Sequence, residues 1–178
     1  MQDKSNSSLN FPLAWLLLGV FALLAAGLFS LLLVLSRTPM IQAYIPIIDF
    51  FHVALVIHVN LSVLIWFLSF AATLWSLNSR PVKFIDTAAL ILAYVGTLAL
   101  VLSPLVGADK PLMNNYVPVL EHHWFYIALG LFGSGIGLLA LKSVVRPINP
   151  VDFFKNSALN IAIYASAWVT LAAFVALL

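Results

Sequence analysis

Four histidines carry the imidazole lone pairs that could bind a transition metal at neutral pH. With no cysteine in the chain, thiolate metal sites, disulfides and cysteine nucleophiles are excluded. His58 stands apart. It lies in the apolar stretch 51–62, Phe-His-Val-Ala-Leu-Val-Ile-His-Val-Asn-Leu-Ser. Counted from Asp49, a helical rise of about 1.5 Å per residue sets it about 13 Å into that stretch. A neutral imidazole there can ligate haem iron, and it tolerates a low dielectric when its nitrogens have partners. The plainer reading, a buried histidine hydrogen-bonded to a neighbouring helix, carries equal weight on spacing alone. On a regular helix His58 would share a face with Leu55, Leu61, Ser62 and Ile65. Asn60 and Ser62 could serve neighbouring helices or water.

The other histidines are weaker candidates. His52 points about 240° round the helix from His58, so the two cannot hold one metal from one face; it reads as an interfacial polar residue. His122 and His123 open a later apolar run, and adjacent residues diverge by about 100°, so at most one faces inward. Either could pair with His58 across a haem, although His58 would sit about two turns deeper. Among the acids, Asp86 lies within a turn of the start of an apolar run. It reads as a helix N-terminal charge favoured by the dipole, or as a proton-uptake group. Asp49 and Glu121 read as interfacial caps. Gly133 and Gly137 form a small-xxx-small pair, matched by Ala22 and Ala26; this spacing suits close helix packing or the close approach of a flat macrocycle. Trp75, Tyr44, Trp124 and Tyr126 fall where an aromatic belt would lie, and Trp66 is placed to pack. No P-loop, dinucleotide-binding glycine pattern or zinc-protease helix is present.

The elements that must position these residues are membrane helices. The chain has 178 residues, 63% apolar and 8% charged. Its mean hydropathy is +1.10. Soluble domains carry about 25% charged residues, so a water-soluble fold is excluded. Five apolar runs, 11–35, 50–77, 84–106, 123–141 and 158–178, are each near the ~20 residues that a bilayer crossing needs. Pro39, Pro46, Pro81, Pro111, Pro118, Pro147 and Pro150 punctuate the gaps. The first run is too long for a cleaved signal peptide, whose apolar part is about 7–15 residues, and reads as a retained helix. The expected fold is an all-α, polytopic bundle of five transmembrane helices in one domain, 1–178. A net charge of +2 without a basic, aromatic-rich patch gives no reason to expect a nucleic-acid partner.

Lys4, Arg80, Lys83, Lys142, Arg146 and Lys155 gather on one side of the expected membrane, and Arg37 and Lys110 on the other. The positive-inside rule puts the N-terminus inside and the segments 36–49 and 107–122 outside. Leu178 then ends on the outer side with no polar tail. That suggests a chain incomplete at its C-terminus, the alternative being a short protein that ends at the interface.

The segment 57–68, Ile-His-Val-Asn-Leu-Ser-Val-Leu-Ile-Trp-Phe-Leu, resembles the second transmembrane helix of haem–copper oxidase subunit I. It is most similar to the nitric oxide reductase and related bacterial branches. In them a His-x-Asn-Leu pattern carries an axial ligand of the low-spin haem, so the resemblance implies that role for His58. Arg37-Thr38-Pro39 and the stretch 114–120, Asn-Asn-Tyr-Val-Pro-Val-Leu, also look like loops of that family. The family's copper ligands, its high-spin haem ligand and its second low-spin ligand lie on later helices. None of them can be matched here, so this chain resembles the first five helices only.

What the resemblance implies is the haem-binding, electron-transfer part of a respiratory oxidase-like subunit in a bacterial inner membrane. Its partners would be other oxidase subunits, membrane lipid, and cytochrome c or a quinol as electron donor. Copper would enter only with the rest of such a subunit. The alternatives are a self-contained five-helix cytochrome b using His58 with His122 or His123, and a cofactor-free membrane scaffold or assembly protein.

Overall fold

The computed structural model describes residues 6–42, 44, 49–113, 117–148 and 157–176. Lys4, Pro46, Asn114 to Tyr116, Pro150, Lys155 and Leu178, all used above, lie outside the described residues. The chain forms α1 (Asn6–Ser36), a short α2 (Pro39–Gln42), and a second long rod made of α3 (Phe50–Val59), a π-helical segment (Asn60–Ile65) and α4 (Trp66–Asn78). There follow α5 (Lys83–Val101), a 3-10 turn (Ser103–Val106), β1 (Pro111–Leu112), β2 (Val119–Leu120), α6 (His123–Val145) and α7 (Ala158–Ala176).

Five of these helices are long and apolar enough to cross a bilayer: Phe11–Ser36, Phe50–Asn78, Lys83–Val101, His123–Val145 and Ala158–Ala176. Along α1, Leu24 is 67% exposed and Val34 69%, which a solvated helix would not sustain. The protein is an all-α, integral membrane bundle.

Differences from the expected spans have local causes. α5 stops at Val101, ahead of Pro104, whose ring opposes continuation of the helix. The following 3-10 turn ends at Gly107, which takes φ +85°, a left-handed value that favours glycine. α6 runs a turn further than expected, to Val145, and so takes Lys142 into the helix.

The core forms where α1 meets the second rod. Trp15, Leu18, Ala22 and Ala26 of α1 are buried in one cluster with Val53, Val56, Ile57, Leu61 and Ile65. The second rod is the most enclosed span, with 44% of an 18-residue stretch of it buried, and α7 the least, at 11%. α5 and α6 approach most closely. A Cβ on Gly135 would stand 2.5 Å from the Ala89 carbonyl oxygen, and one on Gly96 would strike the Phe132 backbone nitrogen. The close approach therefore belongs to Gly96 and Gly135. Gly133 and Gly137 form a second packing site, under the ring of Phe174 from α7, with their nearest neighbours at 3.7 Å. That ring occupies the face where a flat macrocycle would have lain.

Side-chain hydrogen bonds cross-brace the bundle. Tyr94 Oη donates to the Ala14 carbonyl at 2.8 Å, and Trp124 Nε1 to that of Ala99 at 2.8 Å. Trp75 is not a belt residue: it is buried, and its indole N–H donates to Ser166 Oγ on α7 at 3.0 Å. Trp66 packs its ring over Gly19, at 3.0 Å from the position of a Cβ there.

At one end of the bundle the connections after α4 and α6 are joined by a bridge between Ser79 and Pro147. Arg80 N donates to Arg146 O, and Ile148 N to Asn78 O. At the other end Arg37 stacks on the Phe51 ring, 4.1 Å from its centroid. There β1 and β2 pair antiparallel, Pro111 with Leu120 and Leu112 with Val119.

Candidate functional site

His58 closes the first half of the second rod and turns toward α1. Its Nδ1 lies 2.9 Å from the Ala26 carbonyl oxygen. A carbonyl can only accept, so Nδ1 carries the proton, and the neutral ring then keeps its lone pair on Nε2. Ligating histidines are commonly held this way, one ring nitrogen fixed by a backbone carbonyl and the other left for the metal. The ring is half-buried, and among the described residues Nε2 has no hydrogen-bond partner. The lone pair on Nε2 is chemically able to bond a haem iron.

The backbone beyond His58 is π-helical from Asn60 to Ile65. Such segments widen the helix, weaken its ladder and recur at functional sites. Here two polar side chains bond back to the ladder. Asn60 Nδ2 donates to the Val56 carbonyl at 2.8 Å, and Ser62 Oγ to that of His58 at 2.7 Å. Asn60 also reaches across the fold and donates to the Pro118 carbonyl at 2.7 Å. Its Oδ1 is buried and has no partner among the described residues. Two residues apart, His58 and Asn60 leave the helix in nearly opposite directions. One is tied to α1, the other to the loop before β2. The π segment also disrupts the regular face drawn above: Leu61 and Ile65 are fully buried in the core, whereas His58 and Ser62 are only partly covered.

The other histidines are held differently. His122 is the N-cap of α6, and its Nδ1 accepts the backbone N–H of Trp124 at 3.2 Å. A neutral ring accepting at Nδ1 carries its proton on Nε2, so in this arrangement His122 presents no lone pair to a metal. His123 is exposed on the first turn of α6, which packs on α5. His52 Nδ1 donates to Asp49 Oδ1 at 2.6 Å, on an exposed turn. Asp49 stands at the N-cap of α3 but makes this side-chain bond in place of a capping one. Glu121 is exposed just ahead of His122, which takes the capping role. Among the described residues no three His, Asp or Glu side chains converge on a metal-sized site.

A second polar constellation lies at the opposite end. Asp86 and Lys142 form an ion pair with both side chains 1% exposed. Asp86 Oδ2 also accepts the Val82 backbone N–H at 2.8 Å, which caps α5. The pair borders a cavity of about 320 Å³ lined in part by Phe11, Pro12, Ser76 and Ser79. The sequence reading treated Asp86 as an end charge and Lys142 as a loop charge. Asp86 does stand in the first turn of α5, whereas Lys142 lies within α6 rather than in a loop; the two face each other where a lone charge would be costly and a matched pair is tolerated. The available signal was one acid and one base, each only a few residues inside the same end of its apolar run.

No protein-family model matches the chain, and no solved structure matches it. The chain is 30% identical, over 201 residues, to a protein of Rickettsia prowazekii (strain Madrid E), covering 97% of this chain and 38% of that one. It is 30% identical, over 146 residues, to a protein of Aquifex aeolicus (strain VF5), covering 82% of this chain and 36% of that one. Both relatives are described as uncharacterized. The chain thus spans less than two-fifths of the length of either relative.

Proposed function

We propose that this chain is the haem-binding, electron-transfer part of a respiratory oxidase-like subunit in a bacterial inner membrane, with His58 as one axial ligand. The observation that carries the reading is the His58 Nδ1 contact to the Ala26 carbonyl, which leaves the Nε2 lone pair to ligate. The resemblance of residues 57–68 to a ligand-bearing helix supports it. A haem held by His58 would supply one-electron transfer. The chain's own residues do the positioning. Ala26 fixes the tautomer and tilt of His58. Asn60 and Ser62 bond to the carbonyls of the turn that bears it. The second axial ligand, the catalytic centre and the electron donor, cytochrome c or a quinol, would lie outside these 178 residues.

A self-contained five-helix cytochrome b using His122 or His123 is less well supported, because the His122 ring is committed to capping α6 and His123 is exposed on its first turn. The test is a reduced-minus-oxidised spectrum of the purified full-length protein and of its His58→Ala and His122→Ala variants. Loss of the low-spin haem bands in His58→Ala alone is the expected result. Loss in both variants would support the five-helix cytochrome. A wild type without haem bands would overturn both and leave a scaffold.

A further inference from the structure

A groove of about 180 Å³ lies on an exposed side of α5 and α6, at the end where the Asp86–Lys142 pair lies. Ile85, Leu138, Leu141, Lys142, Val145 and Arg146 line it. Residues 138, 141, 142 and 145 follow the three- and four-residue spacing of one helical stripe, so the groove runs along the helix toward its end. Lys142 contributes only its methylene stem, because its ammonium turns inward to Asp86. The groove is therefore apolar along its length, with Arg146, at the C-cap of α6, among its lining residues.

The same end of the bundle carries Arg80, Lys83 and Arg146, all exposed, and its one described acid, Asp86, is already matched by Lys142. The Arg146 backbone is pinned in place, since its N–H donates to the Lys142 carbonyl and its C=O accepts from the Arg80 N–H. We propose that this groove seats an anionic phospholipid, with an acyl chain along Leu138, Leu141 and Val145 and the phosphate group on Arg146. The charge balance of this end and the apolar length of the groove together select a lipid anion over a free one. The inference needs only the membrane fold and stands apart from any haem.

The test uses the full-length protein in detergent, with phosphatidylglycerol and phosphatidylcholine as probes and retained lipid counted by native mass spectrometry. Wild type should retain phosphatidylglycerol in preference to phosphatidylcholine. Arg146→Gln should lose about fivefold of that preference, the weight of one basic residue near an anionic surface. Arg146→Lys should keep most of it, and Leu141→Trp, which fills the groove from an exposed position, should retain neither lipid. Helicity by circular dichroism identifies a variant that has not folded, and the Arg146→Lys and Leu141→Trp arms are then decisive. Equal retention of the two lipids by wild type would overturn the proposal. So would a preference that survives both Arg146→Gln and Leu141→Trp, or displacement of the lipid by inorganic phosphate alone.

Discussion

Removing either member of the Asp86–Lys142 pair strands the other charge in a site that is 1% exposed. Attraction between buried charges barely offsets their desolvation, but a buried charge without its partner has no offset at all. Asp86→Leu or Lys142→Met should therefore each cost about 3–5 kcal/mol of stability. The double change Asp86→Leu with Lys142→Met should recover most of that loss, because no charge then remains to be buried. Thermal or denaturant unfolding of the four proteins in one detergent forms the cycle. Additive losses would show that the two side chains do not interact. Asn60 makes a different kind of tie. Its bond to the Pro118 carbonyl secures the loop before β2 to the middle of the second rod. Asn60→Leu would leave that carbonyl without its donor, at about 1–3 kcal/mol. Amide hydrogen exchange should then rise around residues 117–120 while the helices stay protected.

Helix packing depends on which glycines face a backbone. Gly135→Ala places a Cβ 2.5 Å from the Ala89 oxygen and 2.9 Å from the Ala93 nitrogen, and backbone cannot swing aside as a side chain can. It should destabilise the bundle by about 1–3 kcal/mol, the usual cost of overpacking. Gly137→Ala meets only the Phe174 ring, at ordinary contact distance, and should change stability by less than about 1 kcal/mol. Unfolding midpoints of the two variants in the same detergent decide it, and equal losses would refute the assignment. The contrast marks what the sequence could disclose. Apolar runs reveal the five helices because length and composition alone set whether a segment can cross. The small-residue spacing at Gly133 and Gly137 was visible too, but spacing gives a face and not the neighbour on that face. The π segment after His58 was hidden for a related reason. Its sequence, Asn-Leu-Ser-Val-Leu-Ile, has no residue that excludes a regular α-helix, and only the tertiary bond from Asn60 to Pro118 reveals where that stretch is tied. His58 itself was legible as a polar residue in an apolar run, but its tautomer became readable only when Ala26 was found opposite it.

For the molecule as a whole, the open quantity is its sense across the membrane. The bridge between Ser79 and Pro147 puts the connections after α4 and α6 on one face, and the β1–β2 hairpin belongs with the Arg37–Phe51 stack at the other. Lys142 no longer counts as a loop charge, since it is buried against Asp86. The bias survives without it. Lys4, Arg80, Lys83, Arg146 and Lys155 still oppose Arg37 and Lys110 in the sequence, so the positive-inside rule predicts that the Ser79–Pro147 face is the cytoplasmic one. Because the chain has no cysteine, single substitutions can report this directly. Lys83, which opens α5, and Asp109, beyond the 3-10 turn that follows α5, are both exposed. A membrane-impermeant maleimide added to intact cells should modify Asp109→Cys, and should modify Lys83→Cys only after lysis. The reverse pattern would invert the bundle. It would also carry His58, about 13 Å in from Asp49 at about 1.5 Å per residue, from the outer half of the bilayer to the inner half. An electron donor on the outer face would then lose its short path to the iron, and the electron-transfer proposal would have to draw its electrons from the cytoplasmic side.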